Sequence, residues 1–293
     1  MLKDIVDVLA DPIDGSALTG ADDFSRLVSE TGHSYDVAKQ GYVTLASGAG
    51  IAHQGDSPEM VASREAFLSR GHFAPFVETV TERVLDALQC LPLDDVAATP
   101  PTILEVGAGT GYYLSHTLDA VENSRGIGVD IAVPAAKHLA KAHPKIGAVV
   151  ADVWDGLPVR DRSVDVITVI FAPRNPEEFA RVLVDDGEVL ILTPQTGHLD
   201  ELREPLGILG VEEGKQKRML EQAAGYLEPV GDPELIEFPM NLDRESIAAQ
   251  VGMSPSARHL DPEVLAERVA ALPETMTVTA RAQLTRMKKP ARG

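Results

Sequence analysis

The chain has 293 residues, with 26 Lys and Arg against 45 Asp and Glu, a formal charge of −19, 44 % hydrophobic residues and a single cysteine. The hydrophobic share furnishes a full core and argues against disorder, while Cys90 alone allows neither a disulfide framework nor a cysteine-rich zinc site. The acidic total weighs against a broad nucleic-acid surface, which would have to neutralise phosphates.

Taken from its start, MLKDIVDVLADPID is acidic and lacks the apolar stretch of a signal peptide. No apolar run approaches the ~20 residues of a membrane span, so a soluble cytoplasmic protein without membrane partners is expected. Residues 1–50 are rich in turn formers (DPIDG, LTGADD, ETGHS, ASGAG), with short strand-like pieces at Arg26–Val28 and Tyr42–Leu45. From Ser57 to Leu91 the pattern is helical, with Ser57 as N-cap, Pro58 at the first helical position and Glu59 in the first turn. A break at Gly71 separates a second helix, Ala74 to Leu91, in whose apolar end Cys90 reads as a small core residue. LPLDDVAATPP then reads as a linker. The expected division is a small domain over 1–50, a helical linker over 51–100 and a Rossmann-like domain over 101–293.

The third part opens with ILEVGAGTGYYL (103–114), which reads as a buried strand, a glycine loop and the start of a helix. Glycines without Cβ atoms let backbone N–H groups approach a ligand closely. The spacing is G-x-G-x-G (Gly107, Gly109, Gly111) rather than the dinucleotide G-x-G-x-x-G, and Tyr112 stands where the last fingerprint glycine belongs. That departure argues against NAD. The acidic Glu105 ahead of the loop suits a cationic ligand group, and a nucleoside carrying an amino acid and no phosphate, S-adenosylmethionine, fits both features.

Strands and helices then alternate: strand 126–130, helix 134–143, strand 147–152, strand 164–172, helix 176–184, strand 187–194 and a helical stretch 198–209. This series points to an α/β doubly wound parallel sheet. A strand at ELIEFPM, helices from Arg244 and from Pro262, and a strand from Thr275 to Ala282 would complete the seven-stranded sheet of a class I methyltransferase. In such a sheet the ligand crosses the carboxyl ends of the strands. Asp130 ends the second strand, where a carboxylate can accept ribose hydroxyls, and Ile131 follows it. Asp152 ends the third strand, where it can accept from an adenine amino group with Val153 beside the ring. The fourth strand ends in IFAPRNP, where Phe171 is expected to contact the cofactor and Arg174 stands at the acceptor side, to meet a phosphate, a base oxygen or a surface carboxylate.

HSYDVAKQGYVTL (33–45), GDSPEMVASREAFLSRGHF (55–73), the glycine loop, ADVWDGLPVRD (151–161), IFAPRNPEEFARVL (170–183), LTPQTGHLDEL (192–202) and MSPSARH (253–259) occur in this order over nearly the whole chain. In these blocks the sequence resembles the large-subunit ribosomal RNA (guanine-N1)-methyltransferases, most of all the branch that gives macrolide producers resistance to tylosin. The resemblance implies S-adenosylmethionine as cofactor, methyl transfer to N1 of a guanine in an RNA hairpin, and a homodimer. It carries cofactor contacts over to Phe73, Gly109, Thr110 and His198, although members of the family usually have tyrosine where Phe73 stands. It also implies an N-terminal zinc finger. The corresponding positions here are Asp11, Asp14, Ser29 and His33, so a degenerate zinc-finger-like domain without zinc is expected.

Three functions remain open at the level of sequence: rRNA methylation, methylation of a small metabolite by a chain that lost its RNA grip, and cofactor binding without chemistry. The general base of a guanine-N1 transfer is not identified by any residue pattern. If RNA is the acceptor, its phosphates need cations. The candidates are Lys39, Arg64, Arg70, the cluster Lys215, Lys217 and Arg218, and the tail holding Arg281, Arg286, Lys288, Lys289 and Arg292. The alternative for cluster and tail is a solvated face or a frayed terminus.

Overall fold

Short apolar stretches broken by turn residues fold the N-terminal segment into β1 (Leu18–Ala21), β2 (Arg26–Ser29), β3 (Ser34–Asp36) and β4 (Tyr42–Thr44). The computed structural model describes residues 1–47, 50–51, 53–91, 100–208, 210–211 and 214–291, so most of the LPLDDVAATPP stretch, Arg292 and the side chain of Lys215 lie outside the described residues. β1, β2 and β3 form an antiparallel sheet of their own. Two helices follow, α1 (Pro58–Leu68) and α2 (Ala74–Gln89). The Ser57 hydroxyl accepts from the Met60 N–H at 3.3 Å, the cap that the S-P-E sequence announces. α2 buries the stripe Phe76, Val77, Val80, Val84 and Ala87. Cys90 falls at its C-cap beyond that stripe and is exposed, which corrects its reading as a core residue.

The alternating part yields β5 (Thr102–Val106), α3 (Tyr112–Ala120), β6 (Arg125–Asp130), α4 (Val133–Ala142), β7 (Ile146–Val150), β8 (Val164–Ile170), α5 (Pro176–Val182) and β9 (Leu183–Pro194). After it come α6 (Arg203–Leu206), α7 (Lys215–Ala223), β10 (Glu228–Pro229), β11 (Glu234–Asp243), α8 (Arg244–Gly252), α9 (Pro262–Ala271) and β12 (Thr275–Lys288). The large sheet has the order β10-β12-β9-β8-β5-β6-β7-β4, with β11 on β12. β4 through β9 run parallel, whereas β12 is antiparallel to β9, β10 and β11. The order β7-β6-β5-β8-β9-β12-β11 is the expected seven-stranded arrangement, and the N-terminal segment extends it by β4 at the β7 edge.

Apolar side chains cover both faces. Ile103, Val166 and Leu190 face a core with Phe67, Phe76, Val80 and Leu118. Leu104, Ile127, Val149 and Ile167 face another with Phe179 and with Ile5, Leu9 and Leu27 of the N-terminal segment. That segment therefore shares a core with the sheet. The chain runs outward from β5 through β6 to β7 on one side and through β8 to β9 on the other, so the loops after β5 and β8 diverge at the switch point where a ligand crevice forms.

The basic tail proves to be structural. Arg281 to Lys288 belong to β12, where Arg286 forms two bonds to Glu188 (2.7 and 2.8 Å) and Arg281 pairs with Glu237 at 3.1 Å. Just beyond the strand, Lys289 reaches Asp185 at 2.6 Å. These cations neutralise carboxylates of neighbouring strands, which corrects the reading of this stretch as a frayed terminus.

Candidate functional site

β5 delivers Glu105 and the chain then turns through Gly107, Gly109 and Gly111 at φ values of 69°, 55° and 85°. A Cβ on Gly107 would stand 2.4 Å from the Cβ of Ala172, so the loops after β5 and β8 touch at the switch point because the first glycine lacks a side chain. A Cβ on Gly111 would stand 2.8 Å from the Cβ of Ala142, which makes that glycine the seat of close packing between α3 and α4. The Gly109 N–H donates to Asp130 Oδ2 at 2.7 Å, and the Ala132 N–H donates to Oδ1 at 2.8 Å. Asp130 is thereby fixed at the end of β6, with a lone pair left on each oxygen for a ligand hydroxyl. Burial raises its carboxyl above the ordinary value, against the pull of the Ala132 and Gly109 amides.

The cleft between the two loops is lined by Arg64, Phe73, Glu105, Thr110, Tyr113 and Phe171, with Met253 closing one side. Four buried polar atoms on this wall have no partner among the described residues: Glu105 Oε2, Thr110 Oγ1, Tyr113 OH and Arg64 Nε. Orphaned polar atoms are costly when dry, and their convergence marks a site shaped for a polar ligand. Glu105 is 2 % exposed, and burial pushes its carboxyl up to about 8.

A wall of rings adjoins the cleft. Phe73 and Phe76 stand 5.2 Å apart between centroids, and His198 lies 6.3 Å from Phe73 and 6.0 Å from Phe171. Phe171 is held at φ 53°, rare for a bulky side chain, and stays 38 % exposed. The Arg281 N–H donates to His198 Nδ1 at 2.9 Å, which fixes the proton of the neutral ring on Nε2. Burial pushes His198 down to about 4, so the ring is neutral at physiological pH.

Phe73, Glu105, Gly107, Gly109, Thr110 and Phe171 thus share one cleft; Asp130 is bonded to it through Gly109, with Ile131 next in the chain, and His198 stands behind its aromatic wall. Asp152 and Val153 follow β7, one strand further out. There Asp152 Oδ2 is engaged by His53 Nδ1 at 2.6 Å and Oδ1 by the Trp154 N–H at 3.0 Å, and Asp152 faces a second cavity of about 240 Å³ with Asp11 and Glu178. Arg64, Tyr113 and Met253 escaped the sequence reading as cleft residues. The signal for Arg64 and Met253 was the company of the GDSPEM and MSPSARH blocks, which meet here: Arg258 reaches Gln54 O at 3.3 Å and Gly55 O at 3.2 Å, while Gly55 lies directly on Ala132.

The positions at which the resemblance implies zinc ligands also converge, and their donor set does not fit a structural zinc. Ligand atoms of Asp11, Asp14 and His33 lie within 4.8 Å of one another, without a thiolate. Both carboxylates already take part in hydrogen bonds within this segment. Asp11 accepts from Tyr35 OH (2.8 Å) and the Ile13 N–H (2.8 Å) and pairs with His33 Nδ1 (2.9 Å). Thr31 donates to Asp14 at 2.6 Å, and Ser29 Oγ accepts from the His33 N–H at 2.9 Å. Burial works against the charge of Asp11, but these hydrogen bonds outweigh it and hold the group below the usual carboxylate range. Hydrogen bonds from Ser16 and Thr31 hold Asp14 down at about 2.

Residues 103–187 match a methyltransferase-domain family. The chain is 41 % identical to a putative 23S rRNA (guanine-N(1)-)-methyltransferase of Micromonospora griseorubida, over 98 % of this chain and 99 % of that protein. It is 38 % identical to the 23S rRNA (guanine(748)-N(1))-methyltransferase of Streptomyces fradiae, over 95 % of this chain and 96 % of that one. A putative 23S rRNA (guanine-N(1)-)-methyltransferase of Bacillus subtilis matches at 29 % identity over 66 % of each chain.

Proposed function

The chain belongs to the 23S rRNA (guanine-N1)-methyltransferase family, and from that premise we propose that it methylates N1 of a guanine in a hairpin of large-subunit ribosomal RNA. Its cofactor is S-adenosylmethionine, which when bound supplies an electrophilic methyl group. The cleft suits it: the glycine turn admits the backbone, Asp130 offers acceptors for the ribose, and the orphaned atoms of Glu105, Thr110 and Tyr113 await the amino-acid end.

The observation that carries the acceptor reading is Arg174. Among the described residues this half-buried arginine has neither an ion pair nor a hydrogen bond, whereas Arg64, Arg70, Arg258, Arg281 and Arg286 are each tied to carboxylates. Burial lowers its pKa, the cost of a cation held without an anion. It follows Phe171 in the loop after β8, so an RNA entering there meets an exposed ring for stacking and a free guanidinium for a phosphate or for O6 of guanine. When N1 gives up its proton to solvent water, negative charge is left on N1 and O6, and a guanidinium stabilises it until the methyl bonds to N1. His198, neutral and protonated on Nε2, is a hydrogen-bond donor rather than the base.

The test is methyl transfer from labelled cofactor onto hairpin RNA, undermethylated ribosomes and a small-molecule extract in parallel. Label is expected in RNA, at guanine N1, and Arg174→Ala is expected to slow transfer with cofactor affinity unchanged. Label appearing only in the extract would shift the reading to a small metabolite. The same proposal carries a homodimer, a cytoplasmic location and protection of the ribosome against macrolides, to be checked by sedimentation, fractionation and drug susceptibility of an expressing host.

A further inference from the structure

We propose that Arg64 is the anchor for the carboxylate of the cofactor's amino-acid end, facing Glu105, which takes the ammonium. The inference rests on the reading that the cofactor occupies the cleft beside the glycine turn, and it adds a residue that the glycine-loop pattern leaves out.

Arg64 comes from α1, outside the Rossmann-like part of the chain, and is brought over the turn by its own partners. One guanidinium nitrogen bonds Asp56 Oδ2 at 2.7 Å and Met253 O at 3.2 Å. The side chain packs on the turn itself, for a Cβ on Gly109 would stand 3.3 Å from Arg64 Cδ. This leaves Nε buried at the cleft wall with its N–H unused. A guanidinium so held is an oriented donor, and a carboxylate is its natural complement.

Charge points the same way. Asp56 serves two arginines, since Arg258 also approaches it at 3.5 Å, so its single negative charge leaves this pair with positive charge to spare. Across the wall, Glu105 Oε2 is equally unused, and the hydroxyl of Tyr113 lies within the electrostatic reach of both Glu105 and Arg64. One free cationic donor, one free carboxyl oxygen and the two free hydroxyls of Thr110 and Tyr113 around one cleft match the α-ammonium and α-carboxylate of an amino acid. They match neither a phosphate nor an uncharged nucleoside.

The experiment is calorimetric titration of the full chain with S-adenosylmethionine and with its decarboxylated analogue, on wild type, Arg64→Met and Arg64→Lys. Wild type is expected to prefer the intact cofactor by roughly 10- to 100-fold, the size of a charge-assisted hydrogen bond. Arg64→Met is expected to lose that preference, binding the intact cofactor more weakly and the analogue as wild type does. Arg64→Lys, which keeps a cation without the oriented Nε donor, should fall between. Equal weakening of both ligands in Arg64→Met would mean that Arg64 only braces Asp56 and Met253, and the proposal would be overturned. Unchanged binding of both would overturn it as well. Failure of wild type to bind either ligand would instead strike at the cleft reading, and the anchor would fall with it.

Discussion

Two clusters of polar side chains sit in this molecule at opposite stages of completion. In the N-terminal segment, Asp11, Asp14, Ser29, Thr31, His33 and Tyr35 bond one another. In the cleft after β5, Glu105, Thr110, Tyr113 and Arg64 each hold out an atom with no hydrogen-bond partner among the described residues. The first arrangement is closed: positions where the family resemblance implies a metal hold groups that stabilise each other. The second is open, and on the proposed reading the cofactor supplies its partners. Polar groups of the same kinds thus form a closed set in one place and an open one in the other, and what separates them is whether the hydrogen bonds close internally.

The contrast breaks most readily at Asp11. Asp11→Ala removes a buried acceptor of several donors, and a loss of about 2–4 kcal/mol in unfolding free energy is expected, with cofactor affinity intact. Chemical denaturation and calorimetry measure the two separately, and a large fall in affinity would mean that N-terminal cluster and cleft are one unit. Next in size is Asp130→Ala in the cleft, expected to weaken cofactor binding by on the order of 1–3 kcal/mol. Equal affinities for wild type and variant would remove Asp130 from the ribose site.

Acidity sharpens the comparison further, because the clusters respond with opposite sign. Asp14 is held down at about 2, so the stability it contributes is present above the ordinary carboxylate range and lost as pH falls through about 2. Glu105 is pushed up to about 8, so its contribution is present at acid pH, below the unfolded value, and lost as pH rises through about 8. A cationic ligand group beside Glu105 favours the carboxylate, so cofactor binding near neutral pH should release protons. Binding heats measured in buffers of different ionisation enthalpy would reveal it, and the release should vanish in Glu105→Gln. The smallest expected effect belongs to metal removal. Chelator should leave the melting temperature unchanged, and elemental analysis should find no stoichiometric zinc; one tightly held zinc per chain would show the N-terminal cluster to be open after all.

The cleft's floor was legible in the sequence because a buried strand, a glycine turn and a helix start are all local signals. Asp130 was legible for the same reason, as the polar end of an apolar run. Its walls were less so. Arg64 stands well before the glycine loop in the chain, and its unused Nε is a fact of three-dimensional packing that no spacing records. His53 likewise reaches Asp152 from a distant segment. The largest misreading, of the basic tail, has a definite cause. From Thr275 the chain alternates as a strand should, but the charges from Arg281 onward look like solvated ones unless Glu237, Glu188 and Asp185 are known to lie beside them. Helix α7 was hidden in the same way, its KQKR start drawing attention as charge rather than as the first turn of a helix.

That last strand has a consequence for how the molecule is made. β12 bonds β9 along Val189, Leu190, Ile191 and Leu192, and it is the partner of β11 along that strand's whole length. During synthesis β9 therefore emerges with an apolar edge bare. It stays uncovered until β10, β11 and the intervening helices have been translated and β12 arrives, which joins β10 and β11 to the sheet as it pairs with β9. A bare edge of this kind invites pairing with other chains. The window between translation of β9 and of β12 is thus when the nascent protein is most prone to aggregate, and slowing translation within that stretch should lower the soluble yield without altering the finished fold.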